Sequence, residues 1–157
     1  MSWLDKILPS RIRAEKESKG SVPEGLWHKC LNCDTVIYRA EFEKNLNVCP
    51  KCNNHGRISA RTRADIILDT EDRIEIFDNI MPVDMLNFKD KEKYKDKLLS
   101  TQKKTGEKDA MLVFKGNINK IPAIVCIFEY SFFGGSMGSV VGEKFSLAVK
   151  KCIEEKK

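Results

Sequence analysis

An α+β protein, with a small metal-held module ahead of a larger β/α domain, is what this 157-residue sequence predicts. Three observations carry that reading. Cys30, Cys33, Cys49 and Cys52 form two Cys-x-x-Cys pairs with fifteen residues between them. Two apolar runs, Met111–Phe114 and Ile121–Phe128, flank a Gly-Asn-Ile-Asn-Lys hairpin signal. Val141, Phe145, Ala148, Val149 and Cys152 then fall on one helical stripe. A chain of this length suits one ordinary domain, or a small module plus a larger unit.

The cysteine spacing matches that of a structural zinc site. Each Cys-x-x-Cys turn presents two thiolates on one side of a tight knuckle, and two knuckles can enclose one tetrahedral ion. Four sulfurs leave no open coordination position, so one zinc per chain would hold structure and would not activate water. The N-terminal Met-Ser-Trp-Leu-Asp-Lys-Ile-Leu-Pro has no apolar signal core, and no window approaches the ~18 apolar residues of a membrane span. A cytoplasmic, reducing location is therefore expected, where disulfides are rare and paired cysteines mean metal or redox chemistry. Two pairs flanked by short strands argue against a single redox motif at a helix start. Iron on the same four sulfurs stays open. Cys126 and Cys152 read as packed apolar side chains, and His28 and His55 as surface residues beside a site that is already filled.

The elements follow in order. Residues 1–23 read as an amphipathic N-terminal helix, with Trp3, Leu4, Ile7 and Leu8 on one side, followed after Pro9 by a flexible linker. Residues 24–60 form the zinc ribbon, with strand-like runs at Thr35–Tyr38 and Arg57–Ser59. So small a module has little apolar area and depends on metal for its folding free energy. Residues 61–157 form the larger domain. Ala64, Ile67 and Leu68 mark a helix, and Arg73–Phe77 alternates like a strand. Asp84–Lys97 is charged, with Leu86, Phe88, Tyr94 and Leu98 as its few apolar anchors, and the Lys-rich run around Lys89–Lys97 reads as a solvated helix face that Thr105–Gly106 closes. The run Ile121–Phe128, apolar throughout, reads as a strand covered on both faces. A helix spans Gly138–Glu155.

The formal charge of +5 is unevenly placed. Residues 1–64 hold twelve Lys/Arg against seven Asp/Glu, and residues 65–157 hold sixteen of each. A basic zinc module with Trp27 and Tyr38 near Arg39, Lys51 and Arg57 is a candidate for weak nucleic-acid contact. A solvated surface explains the same excess.

Gly134–Gly135–Ser136–Met137–Gly138 lies between a strand and a helix, where backbone N–H groups can converge on an anion or polarised oxygen. Neither the P-loop nor the dinucleotide spacing fits. A ligand loop and a plain tight turn remain equal readings. No Ser/His/Asp set, paired carboxylates or ligating His pair accompanies the loop, so side-chain catalysis has no support.

Longer runs carry more information. Val22–Arg63, with its knuckles and Tyr38–Arg39–Ala40–Glu41, resembles the zinc ribbon of the carboxyltransferase beta subunits of bacterial acetyl-CoA carboxylases. Tyr94–Lys95–Asp96, Thr105–Gly106–Glu107–Lys108–Asp109–Ala110 and Gly134 through Gly142 extend the resemblance over nearly the whole chain. It implies a crotonase-like (ClpP/crotonase) β/α domain behind the ribbon and a heterotetramer with two alpha subunits. It also implies transfer of a carboxyl group from biotin on a separate carrier protein, charged by biotin carboxylase, to acetyl-CoA. Malonyl-CoA, for fatty acid biosynthesis, is the product. In such chemistry an enolate attacks CO2, so backbone oxyanion holes and proximity do the catalytic work. The family's Ser-Gly-Gly-Ala-Arg oxyanion segment is not among these residues. The resemblance therefore implies an N-terminal half, with catalytic glycines expected beyond Lys157 and in the alpha subunit, none in this chain, and the 157 residues inactive alone. Gly134, Gly135, Ser136 and Gly138 are then expected to border the coenzyme A side. The other readings are a zinc-ribbon nucleic-acid module and a non-catalytic assembly fragment.

Overall fold

A computed structural model describes residues 25–70 and 73–156. The helix and linker expected over residues 1–23 lie outside the described residues. The chain separates into two compact units, one ending at Gly56 and one starting at Arg57.

In the first unit, β1 (Trp27–Lys29) and β2 (Val36–Tyr38) pair antiparallel, with Trp27 opposite Tyr38. A short helix, α1 (Arg39–Lys44), follows directly and buries Phe42. The core is Cys30, Ile37, Phe42 and Cys49, with Cys33 and Cys52 packed against it. Only two of these six are ordinary apolar side chains, so thiols fill the centre. The strand expected at Arg57–Ser59 does not form. Ser59 instead caps the next helix, its side chain accepting from the Thr62 amide. The second knuckle is pinned by a single bridge between Val48 and His55.

The second unit contains α2 (Ala60–Ile67), β3 (Ile74–Ile76), α3 (Tyr94–Thr105), β4 (Met111–Ile118), β5 (Ile121–Phe128) and α4 (Ser139–Glu155). Its sheet has the order β3-β4-β5 and is antiparallel throughout. β4 is the central strand, and its alternate residues feed two layers. Leu112 and Phe114 pack with Ala60, Ala64 and Leu68 around α2. Met111 and Val113 pack on the other side with Leu98 of α3, Phe132, and Val141 and Ala148 of α4. The run Ile121–Phe128 is covered on both faces as well: Val125 and Ile127 pack with the α2 layer, and Ile124 and Cys126 with the α4 layer. That run is β5, which pairs only with β4 among the described residues and leaves Ile121 and Phe128 exposed.

The turns account for the remaining geometry. The β4–β5 loop is just Asn119 and Lys120, both at positive φ (50° and 68°), as a tight hairpin requires. Asp69 holds it by accepting both amides, at 3.1 and 2.8 Å. The helical face expected around Lys89–Lys97 begins at Tyr94. Asp84 Oδ1 accepts the Phe88 amide at 3.0 Å, which turns the chain locally. Gly106, at φ 76°, closes α3 as expected.

α4 departs from its expected stripe. Its buried residues are Val140, Val141, Lys144 and Ala148, whereas Phe145 and Val149 are exposed. The three-stranded sheet ends at β5, so it covers only part of the apolar arc. Lys144 is tolerated because its Nζ donates to the Met111 carbonyl at 2.8 Å. No helix among the described residues is long and apolar enough to cross a membrane.

Candidate metal centre

Two matching knuckles build the site. In the first, the Cys30 amide donates to Thr35 O and the Asp34 amide to Cys30 O; in the second, Cys49 donates to Asn54 O and Asn53 to Cys49 O. The residue after each second cysteine is left-handed, Asp34 at φ 55° and Asn53 at φ 56°. Asp and Asn adopt that conformation more readily than other non-glycine residues, so the sequence suits the repeated turn. Gly56 supports the second knuckle. A Cβ there would lie 2.8 Å from Phe42 Cζ and 3.0 Å from Asn47 O, which leaves no room for a side chain.

The four Sγ atoms all lie within 4.8 Å of one another. Cys30 to Cys52 and Cys33 to Cys49 are both 3.7 Å apart. A tetrahedron with Zn–S near 2.3 Å has edges of ~3.8 Å. The donor set therefore fits one zinc ion without rearrangement. Cys30 and Cys49 are buried, while Cys33 and Cys52 are half-buried. The Thr35 hydroxyl and amide pull the Cys33 thiol down to about 6. Asn32 and the Asn54 amide lower Cys52. Burial pushes Cys49 up to about 11, a cost that a cation at the centre would offset. Neither histidine joins the cluster. His28 is half-buried and stacks on Phe42 at 4.1 Å, and His55 lies exposed.

The nucleic-acid candidates are dispersed. Trp27 and Tyr38, 58% and 44% exposed, sit edge to face at 5.7 Å. Lys29 is paired with Asp34 at 2.8 Å and Arg39 with Glu43 at 3.0 Å. Arg57 belongs to the second unit and lies over the Tyr130 ring at 4.1 Å.

In the second unit, Gly134, Ser136 and Gly138 are exposed at the start of α4. Gly134 and Gly135 have φ of 70° and 74°, so the turn needs glycine there. The Gly135 amide donates to Phe132 O at 2.8 Å; it is committed to the turn and is not a spare donor. Gly138 is the N-cap of α4, with no side-chain cap. Beside that helix start, an apolar cleft of about 610 Å3 lies between Ser139, Val140, Tyr94 and the 80–88 loop. The sequence reading did not identify this cleft, along which Met81, Val83, Met85 and Leu86 are exposed.

The same reading missed a buried charge pair. Lys144 and Asp109 are both buried beside a small polar cavity. Burial pushes the Lys144 ammonium down and the Asp109 carboxyl up.

A family model described as the acetyl-CoA carboxylase zinc finger domain matches residues 27–52. That stretch contains all four cysteines. The match associates the module with acetyl-CoA carboxylase and with zinc, and it covers a minor part of the chain.

Proposed function

We propose that this chain serves acetyl-CoA carboxylase as a carboxyltransferase beta-subunit component, in which Cys30, Cys33, Cys49 and Cys52 hold one structural zinc. The observation that carries the reading is the coincidence of the zinc-finger match over 27–52 with a cysteine tetrad of zinc dimensions. A closed four-sulfur site cannot supply a metal-bound nucleophile, so the ribbon's work is shape and assembly.

In this reading the reaction moves a carboxyl group from biotin on the carrier protein to acetyl-CoA, giving malonyl-CoA. The second unit is the first part of a crotonase-like domain, and the exposed Gly134–Gly138 turn borders the coenzyme A side. The α4 start supports that placement, since its first-turn amides can face an anion. No described side-chain set suits acid–base or nucleophilic catalysis. Oxyanion donors from the alpha subunit and from the family's Ser-Gly-Gly-Ala-Arg segment are then required.

The test is association, because the reading assigns the oxyanion donors elsewhere. Titrating the purified chain against carboxyltransferase alpha subunit in a sedimentation-velocity experiment should give a stoichiometric complex. Free sedimentation of both proteins at tens of micromolar would overturn the reading. A second reading, nucleic-acid contact by the ribbon, rests on the exposed Trp27–Tyr38 pair. The ion pairs at Lys29 and Arg39 make it the weaker one.

A further inference from the structure

The four cysteines of the first unit do not have equal surroundings. Cys30 and Cys49 are 2% and 0% exposed, whereas Cys33 and Cys52 are half-buried. Each half-buried thiol has a polar side chain against it. The Thr35 hydroxyl lies 3.3 Å from Cys33 Sγ. The Asn32 side chain, in the first knuckle, reaches across to Cys52 in the second. Backbone amides meet the same two sulfurs, Thr35 at Cys33 and Asn54 at Cys52. Thr35 and Asn54 both stand two residues past the second cysteine of their knuckle, so the amide bonds come with the repeated turn. The side-chain contacts are additions to it.

The direction of the Thr35 bond follows from the state of the sulfur. A free Cys33 thiol can donate to Thr35 Oγ1. A metal-bound thiolate has no proton left, so the hydroxyl then donates and the sulfur accepts. Four thiolates around one divalent ion leave a net negative charge on the centre, and hydrogen bonds to charged acceptors are the strong ones. Among the described residues, Cys33 is the only hydrogen-bond partner of this hydroxyl. The Thr35 carbonyl accepts the Cys30 amide at 2.9 Å, a task that any residue can perform. What the threonine side chain adds is therefore directed at the metal centre.

We infer that Thr35 is an outer-sphere residue of the metal centre, its hydroxyl fixing the Cys33 thiolate, and that Asn32 does the same for Cys52. Together they set how tightly the metal is held, on the half-buried side from which a competing ligand reaches it. Both are positioning residues, since they act on the metal through a cysteine. The inference rests on the zinc reading of the four cysteines and is independent of the carboxyltransferase reading.

Zinc affinity of the full chain, measured by competition with a chromophoric chelator, tests it. Thr35→Val keeps the branched shape and loses the hydroxyl, and it should bind zinc about 10- to 100-fold more weakly. Thr35→Ser keeps the hydroxyl and should bind almost as the wild type does. The cobalt(II)-loaded chain gives a second readout. Without its donor the Cys33 sulfur holds its electrons less tightly, so the thiolate-to-cobalt charge-transfer band of Thr35→Val should move to longer wavelength. Thr35→Ser should restore the band, which a purely structural role would not do. Asn32→Ala changes an exposed position and should also weaken zinc binding, a measurement that stands even if Thr35→Val fails to fold. A wild-type chain that takes up no zinc overturns the zinc reading and this proposal together. Zinc bound by the wild type and equally tightly by Thr35→Val overturns the proposal alone. So do equal losses in Thr35→Val and Thr35→Ser, or an Asn32→Ala chain of wild-type affinity.

Discussion

Glu129, immediately after β5, accepts the amide of Ala60 in the first turn of α2 through Oε2 at 2.7 Å. Its Oε1 accepts the Ser131 amide at 3.0 Å and the Ser131 hydroxyl at 2.6 Å. One buried carboxylate thus ties the end of the central hairpin to the helix that covers it. A carboxylate also suits the partial positive charge of a helix N-terminus.

Burial pushes the Glu129 carboxyl up, but the bonds from Ser131 and Ala60 outweigh it and hold the group below the usual carboxylate range. A lowered folded-state value means that its stabilisation is present above the unfolded value and is lost as pH falls through the folded one. Glu129→Gln should cost about 1.5–3 kcal/mol in urea unfolding of the second unit, the usual worth of hydrogen bonds to a charged group. Only one Gln atom can accept, so either Ala60 or Ser131 loses its partner. The variant should also show a shallower loss of stability below the unfolded carboxylate range.

Asp109 and Lys144 behave in the opposite sense. Burial raises the first and lowers the second, and each charge partly offsets the other's shift. Removing one charge leaves the other buried without its counterpart. Lys144→Met and Asp109→Asn should each destabilise, and the double variant should cost less than the sum, with a coupling of about 0.5–3 kcal/mol. Strict additivity in a double-mutant cycle would show that the two charges do not interact.

Gly135→Val should destabilise by about 1–2 kcal/mol, because φ 74° is a left-handed conformation that a β-branched residue resists. Steric crowding is not the cause, since the added Cβ would come no closer than 3.9 Å to Phe128. Lost anion donation is not the cause either, as the Gly135 amide is already bonded to Phe132 O. Thermal melts of Gly135→Ala and Gly135→Val check this; both should fall, the Val variant further.

Nucleic-acid binding by the chain should be weak, with affinity falling steeply as salt rises. Arg39 and Lys51 should contribute additively, and Trp27→Ala should weaken single-strand binding further if the exposed ring stacks on bases. Fluorescence anisotropy across a salt series measures this. Salt-insensitive or strongly sequence-selective binding would contradict it.

Local signals were legible in the sequence wherever chemistry and spacing coincide. The cysteine pairs, Gly106 as a helix stop, and the hairpin between the two apolar runs are all of this kind. What was not legible depends on which neighbour an element finds. Ile121–Phe128 is apolar on both faces and is covered on both, but nothing in its residues shows that it pairs with β4 alone among the described residues. Phe145 and Val149 share an arc with Val141 and Ala148, yet the sheet is too narrow to cover them. Lys144 reads as a solvated charge until the Met111 carbonyl is placed 2.8 Å from it. Arg57–Ser59 has strand character, but a serine able to cap α2 decides its fate.

Thiols fill the centre of the first unit, so its fold depends on the metal. Native mass spectrometry of the chain, paired with elemental analysis, should find one zinc per chain. Cys49→Ser should lose it and unfold the first unit, while the second unit keeps its cooperative transition. Iron in place of zinc, a disulfide-linked apo form, or a Cys49→Ser chain that remains folded throughout without metal would contradict the account.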